Sequence, residues 1–149
     1  MTDEEAIALA LAEAKSCVAR GEVPVGAVLL SAEGELLAHD GNRILERKDP
    51  TAHAEMLVMR AGAEKLGNER LSGTRLFVSL EPCAMCAGAM SLARVARLVF
   101  AAEDAKGGAI LNGPRFFEQA TCHHRPQVMR AGDALAAGSV LKEFFKARR

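Results

Sequence analysis

Two short stretches carry residue types that can hold a metal and move a proton. They are Thr51-Ala52-His53-Ala54-Glu55 and, 27 residues further on, Pro82-Cys83-Ala84-Met85-Cys86. One imidazole and two thiolates are borderline-soft donors that suit zinc, and three protein ligands leave the fourth tetrahedral position open for water. Cys83 and Cys86 are three apart, so on a helix they project from one face about a turn apart. Pro82 fits the first turn of such a helix, where its missing N–H costs nothing. His53 and Glu55, two apart, cannot share a helical face. If His53 stands at a helix start and Glu55 in the first turn, both still approach one point, and Glu55 is left free to carry protons. A structural zinc site would want a fourth ligand, and the remaining candidates (Cys17, His39, Cys122, His123 and His124) are distant in the chain.

The elements around these stretches follow from periodicity and punctuation. Residues 3 to about 20 read as a helix capped by Thr2 or Asp3, with acidic residues in its first turn and Ile7, Leu11, Ala14 and Val18 as an apolar stripe. Val25 to Leu30 is a buried strand, and Leu36 to about Asn42 returns beside it after a turn at 32–35. Residues 43–50 have no apolar period and read as a loop. His53 to about Leu66 is a helix with Met56, Met59, Ala63 and Leu66 on one side; Arg75 to Leu80 is a strand that delivers the chain to Pro82. Ala84 to Ala93 is the cysteine helix and Leu98 to Ala102 the next strand. Residues 109–126 form a long loop, Gln127 to Met129 a last short strand, and Asp133 to Arg149 a terminal helix with Leu135, Val140, Leu141, Phe144 and Phe145 apolar. This order implies an α/β sheet with an antiparallel edge pair and parallel crossover strands, covered by helices.

The order His-x-Glu … Pro-Cys-x-x-Cys matches the known signature of zinc deaminases. The flanks narrow the match. Glu22-Val23-Pro24-Val25-Gly26-Ala27-Val28, Gly41-Asn42-Arg43, 49–55, 80–89, Asp104-Ala105-Lys106 and Phe144 to Arg149 resemble the bacterial tRNA-specific adenosine deaminases, in order and over nearly the whole chain. The resemblance implies a three-layer, cytidine-deaminase-like fold with a five-stranded mixed sheet flanked by helices, one Zn2+ per chain on His53, Cys83 and Cys86, and Glu55 as the catalytic acid–base. It further implies a homodimer acting on the wobble adenosine of a tRNA anticodon stem-loop. Substrate contacts would come from Asn42, Ala54, Asp104 and Lys106, with Phe145 as the aromatic residue that faces the RNA. Taken by themselves, these positions also have plainer readings: Asn42 as a turn residue, Asp104 and Lys106 as a solvated turn beyond a strand end, Phe144 and Phe145 as core. Glu81, next to Pro82-Cys83, is expected to orient the cysteine helix.

Two other functions use the same core signature. One is deamination of a free nucleobase or nucleoside such as guanine, cytosine or isocytosine; residues 107–127, with Gly113-Pro114-Arg115-Phe116-Phe117 and Thr121-Cys122-His123-His124, depart from the better-known tRNA enzymes and bear on the substrate mouth. The other is a catalytically silent zinc module that binds RNA or a partner, against which an intact Glu55 argues. Cys122-His123-His124 could also form a second metal site.

Composition sets the bounds. At 149 residues, half of them hydrophobic, the chain reads as one domain spanning 1–149 with one substantial core. No apolar run approaches the roughly 18 residues of a membrane span. The acidic start Thr2-Asp3-Glu4-Glu5 is unlike a signal peptide, and four cysteines, two of them committed to zinc, suit a reducing, cytoplasmic setting. Net charge is zero, but 1–93 carries 9 Lys/Arg against 14 Asp/Glu while 94–149 carries 10 against 5. A basic C-terminal portion can meet phosphates; it can equally be a solvated helix.

Overall fold

The computed structural model describes residues 1–148; the last residue of the expected terminal helix, Arg149, lies outside them. One mixed sheet runs through the molecule in the order β2-β1-β3-β4-β5. Strand β1 (Gly26–Leu30) pairs antiparallel with β2 (Leu36–Gly41) on one side and with β3 (Arg75–Leu80) on the other. Strands β3, β4 (Arg97–Ala102) and β5 (Gln127–Arg130) are mutually parallel. The hairpin therefore joins the parallel set by an antiparallel step, and the central strands are buried on both faces, as their apolar runs require.

Helices cover both faces. On one side α1 (Asp3–Ala19) and α5 (Ala134–Lys146) close a core of Ala6, Ile7, Ala10, Val28, Leu30, Phe77, Val99 and Ala137. On the other, α3 (Ala54–Leu66) and α4 (Ala84–Ala93) close a larger core that includes Leu29, Val58, Leu76, Met90, Leu98 and Phe100. Among the described residues no helix is long and apolar enough to cross a membrane.

Local chemistry accounts for the helix ends. Thr2 caps α1 in a full capping box: its hydroxyl accepts from Glu5 N, and the Glu5 side chain accepts from Thr2 N. Asp133 caps α5 by accepting from Ala136 N. Gly67, at φ 65°, ends α3 in the left-handed conformation that costs glycine little.

Four expectations about these elements change. The buried face of α1 is Ala6, Ile7, Ala10, Ala14 and Cys17, whereas Val18 is exposed and Leu11 only half-buried. The cause is close packing: a Cβ on Gly26 would overlap the Ala10 carbonyl and the Ala14 amide, so the helix backbone rests on β1 and only small side chains fit between. On α3 the buried set is Ala54, Glu55, Leu57, Val58, Met59 and Gly62, with Leu29 of β1 packed against Gly62, and Leu66 is exposed. The expected loop at 43–50 contains a one-turn helix, α2 (Ile44–Arg47). On α5, Leu135 is largely exposed while Ala137 and Phe144 face the core.

Candidate active site

Two helix N-termini converge. His53 is the N-cap of α3, in extended backbone at φ −71° and ψ 149°, and Glu55 sits in the first turn. Cys83 is the N-cap of α4 and Cys86 lies in its first turn. Pro82 stands one residue before the cap, not inside the first turn as expected, and its carbonyl accepts from Ala109 N at 2.9 Å. The expected separation of roles between His53 and Glu55 follows from this placement, since capping turns His53 away from the α3 surface that buries Glu55.

His53 Nδ1 lies 3.6 Å from Cys83 Sγ and 3.6 Å from Cys86 Sγ, and the three donor atoms all fall within 4.8 Å of one another. A tetrahedron with arms of about 2.3 Å to sulfur and about 2.1 Å to nitrogen has an S–N edge of about 3.6 Å, so the donor set fits zinc. Charge makes the same point. The hydrogen bond from Cys86 and the nearby His53 bring the Cys83 thiol down to about 4, against the opposing effect of burial. Cys86 moves the other way: the neighbouring Cys83 sulfur, then burial, push it strongly upward. Ionisation of one sulfur opposes that of the other, and a cation held between them would stabilise both as thiolates. The hydrogen bond to Cys83 raises the pKa of His53, against burial, with Glu55 adding to the rise.

Glu55 is buried, and its Oε1 has no hydrogen-bond partner. Burial raises its pKa, so this carboxyl retains a proton more readily than an exposed acid. A buried acceptor without a partner is expensive in a protein interior and marks a position where something else binds.

Asn42 completes the cluster. It follows β2 with its amide donating to Val25 O at 3.1 Å, and its carbonyl accepts from Arg20 Nη2 at 3.1 Å. Its side-chain Oδ1 accepts from Ala54 N at 2.8 Å. Asn42 thus caps α3 from a different element, in place of His53, whose side chain makes no cap bond. The Nδ2 end donates to no protein group among the described residues and remains for a ligand. Ala54, expected among the substrate contacts, is wholly buried, and its N–H donates to Asn42 Oδ1.

The cytidine and deoxycytidylate deaminase zinc-binding region matches residues 1–102. The tRNA-specific adenosine deaminase of Agrobacterium fabrum is 50% identical over 95% of this chain and 92% of its own length, and that of Aquifex aeolicus 39% identical over 100% and 97%. A solved structure from studies of A-to-I editing by tRNA:A34 deaminases at the wobble position superposes with a TM-score of 0.89 at 50% identity, covering 92% of this chain and 99% of that one. The chain belongs to the tRNA-specific adenosine deaminase family. It is accordingly a hydrolytic deaminase of the cytidine-deaminase-like fold. A guanine deaminase from Nitrosomonas europaea shares the fold at a TM-score of 0.80 and 24% identity, over 96% of this chain and 84% of that one, so the fold by itself does not select a base.

The outer residues expected to contact substrate have mixed placements. Asp104 and Lys106 lie just beyond β4; Asp104 Oδ1 accepts from Lys106 N at 3.1 Å and Gly107 N at 2.9 Å, forming an Asx turn that leaves the lysine exposed. Phe145 is 47% exposed, edge-on to Phe144. It belongs to the α1/α5 layer, across the sheet from α3 and α4, so this chain does not bring it to the His53–Cys83–Cys86 cluster. The histidines and cysteines outside the cluster have other occupations. Cys122 is buried 3.5 Å from Ser91 Oγ, His124 Nε2 is 2.7 Å from Val95 O, and neither joins a metal-binding group among the described residues. His39 is exposed beside Glu13, and Cys17 is fully buried under Gly41.

Two buried acids do more than sequence reasoning assigned them. Glu22 accepts from Leu45 N and Glu46 N, about 3.0 Å each, and so caps α2 from 23 residues away. Glu81 was expected to orient the cysteine helix; its carboxylate instead accepts from residues 104–112. The one signal for either in the sequence is an acid beside an apolar strand, without a repeat spacing to identify its partner.

Proposed function

We propose that residues 1–149 act as one zinc-dependent deaminase domain that converts the wobble adenosine of a tRNA anticodon stem-loop to inosine. The observation that carries this reading is the partnerless, buried Glu55 Oε1 beside three zinc-type donors. His53, Cys83 and Cys86 would hold one Zn2+ per chain, and that ion, when bound, supplies the Lewis acidity that lets water attack at neutral pH. Glu55 takes one proton from the attacking water on its carboxylate and passes it to the purine ring nitrogen next to the amino-bearing carbon; it then takes the second proton, from the newly added hydroxyl, and delivers it to the amine, which departs as ammonia. Burial raises its pKa, which makes the carboxylate a better proton acceptor than an exposed acid. Asn42 Nδ2 donates to an acceptor on the base while Oδ1 stays fixed on Ala54 N. Asp104 and Lys106 would meet the ribose and backbone, where a 2′-OH distinguishes RNA. A substrate larger than one nucleoside is what could reach Phe145.

The names of the relatives support tRNA as the substrate class. Those relatives are bacterial, and a cytoplasmic location suits an enzyme whose ligands include two reduced cysteines. We expect a homodimer, with Leu45 of α2 (66% exposed) and Leu92 of α4 (84% exposed) as apolar surface for a second copy to cover. Replacing the acid isosterically is the test of the chemistry. Glu55→Gln should retain zinc and lose about 10²–10⁴-fold in kcat. Undiminished turnover would remove Glu55 from the mechanism.

A further inference from the structure

Glu81 is 2% exposed and its carboxylate is saturated with donors from one segment. Oε1 accepts from Asp104 N at 3.1 Å and Asn112 Nδ2 at 2.7 Å; Oε2 accepts from Ile110 N at 3.0 Å, Leu111 N at 3.0 Å and Asn112 N at 3.1 Å. The backbone around it is tied to the same neighbourhood: Glu81 N donates to Ala102 O at 2.8 Å, and Ala109 N donates to Pro82 O at 2.9 Å. Gly108 closes over the carboxylate so tightly that a Cβ there would overlap both Glu81 and the Asp104 carbonyl. No Lys or Arg pairs with Glu81 among the described residues, so its charge is met entirely by N–H groups of the 104–112 turn. An apolar residue here would leave these N–H groups without acceptors. What the carboxylate adds is one fixed geometry for a segment with no regular secondary structure of its own.

We propose that Glu81 is a positioning residue for substrate binding, fixing Asp104 and Lys106 relative to the metal ligands. The route is short: Glu81 is two residues from Cys83, at the exit of β3, and one carboxylate joins that exit to the turn after β4. The inference rests on the reading of Asp104 and Lys106 as substrate contacts. Contacts of that kind hold substrate and transition state alike, so loosening them raises KM and leaves kcat. Glutamine at position 81 keeps the shape but has one acceptor oxygen and turns an NH2 toward N–H donors.

The test uses the zinc-loaded full chain and a tRNA anticodon stem-loop with a wobble adenosine. In Glu81→Gln, zinc content should stay at the wild-type level while amide exchange in 104–112 accelerates about tenfold or more and α4 remains protected. KM should rise about fivefold or more, with kcat within about twofold. Asn112→Ala, which removes one leg and leaves the carboxylate, should shift exchange and KM the same way by less. Glu81→Gln combined with Asp104→Ala should raise KM by clearly less than the product of the two single effects, because both act through the same turn. Unchanged exchange at 104–112, loss of zinc, a fall in kcat without a rise in KM, or multiplicative effects in the double variant would each overturn the proposal. If Glu81→Gln does not fold, Asn112→Ala carries the same comparison. Wild-type protein silent on the stem-loop would refute the substrate reading and its KM arm, whereas the exchange arm would still decide whether Glu81 holds the turn.

Discussion

Asn42 has two ends with two tasks, and substitution can separate them. Its backbone is held independently of its side chain, by Val25 O and Arg20 Nη2 at 3.1 Å each, so truncation leaves the residue in place. Asn42→Ala deletes the 2.8 Å bond to Ala54 N, and that N–H, on a wholly buried residue, is left without a partner. An orphaned buried donor costs about 1–3 kcal/mol. For a domain of this size each kcal/mol is worth about 2–4 °C, so the melting temperature should fall by about 2–12 °C. Asn42→Asp keeps an acceptor for Ala54 N, at a helix N-terminus that favours negative charge, but replaces the NH2 donor with a second acceptor. Its melting temperature should stay closer to wild type while kcat/KM drops about 10²-fold or more, because two acceptors would then face each other across the base. Thermal unfolding of the zinc-loaded proteins and initial rates of inosine formation read the two effects separately. An alanine variant that melts with wild type would refute the cap, and an aspartate variant with wild-type kcat/KM would refute the donor.

Other consequences follow from the metal cluster. Cys83→Ala should bring zinc from the expected one ion per chain to near zero and abolish the destabilisation by chelator expected of wild type; full zinc occupancy in this variant would exclude Cys83 as a ligand. Zinc uptake by the metal-free protein at pH 7 should release about one to two protons, measurable by calorimetry in buffers of different ionisation enthalpy. The sign follows from the shifts: Cys83 is brought down to about 4, whereas Cys86 is raised and gives up its thiol proton to zinc, with His53, also raised, adding to the release. Zinc affinity should therefore weaken as pH falls, and uptake without proton release would contradict the assignment of protons between the two sulfurs.

The parts of the site that sequence reveals are those set by local spacing. The interval between Cys83 and Cys86, and the two-residue step from His53 to Glu55, place all four at helix starts, because three or four residues at an N-terminus have few conformations to choose from. The parts it hides depend on distant partners. The stripe on α1 turns toward Ala6, Ala10 and Ala14 because Gly26, far along the chain, lets the helix backbone approach. Helix α2 exists because Glu22 caps it from outside, and no periodicity within four residues could announce that. Glu81 reads as an acid beside a cysteine motif, and only folding brings the amides of 104–112 onto it. Phe145 shows the opposite limit: its place in a terminal motif suggests a substrate contact, and the layer it occupies lies across the sheet from the cluster.

The most direct test of the proposed activity compares substrates. Zinc-loaded protein would be incubated with a tRNA anticodon stem-loop carrying a wobble adenosine and, in parallel, with free adenine, adenosine, guanine, cytosine and isocytosine, with inosine and ammonia followed in each. Inosine in the stem-loop and no ammonia from the free compounds is the expected result. Turnover of a free base with none of the stem-loop would contradict the tRNA reading; it would leave Glu55 and the zinc ligands in place and move the question of specificity to residues 107–127.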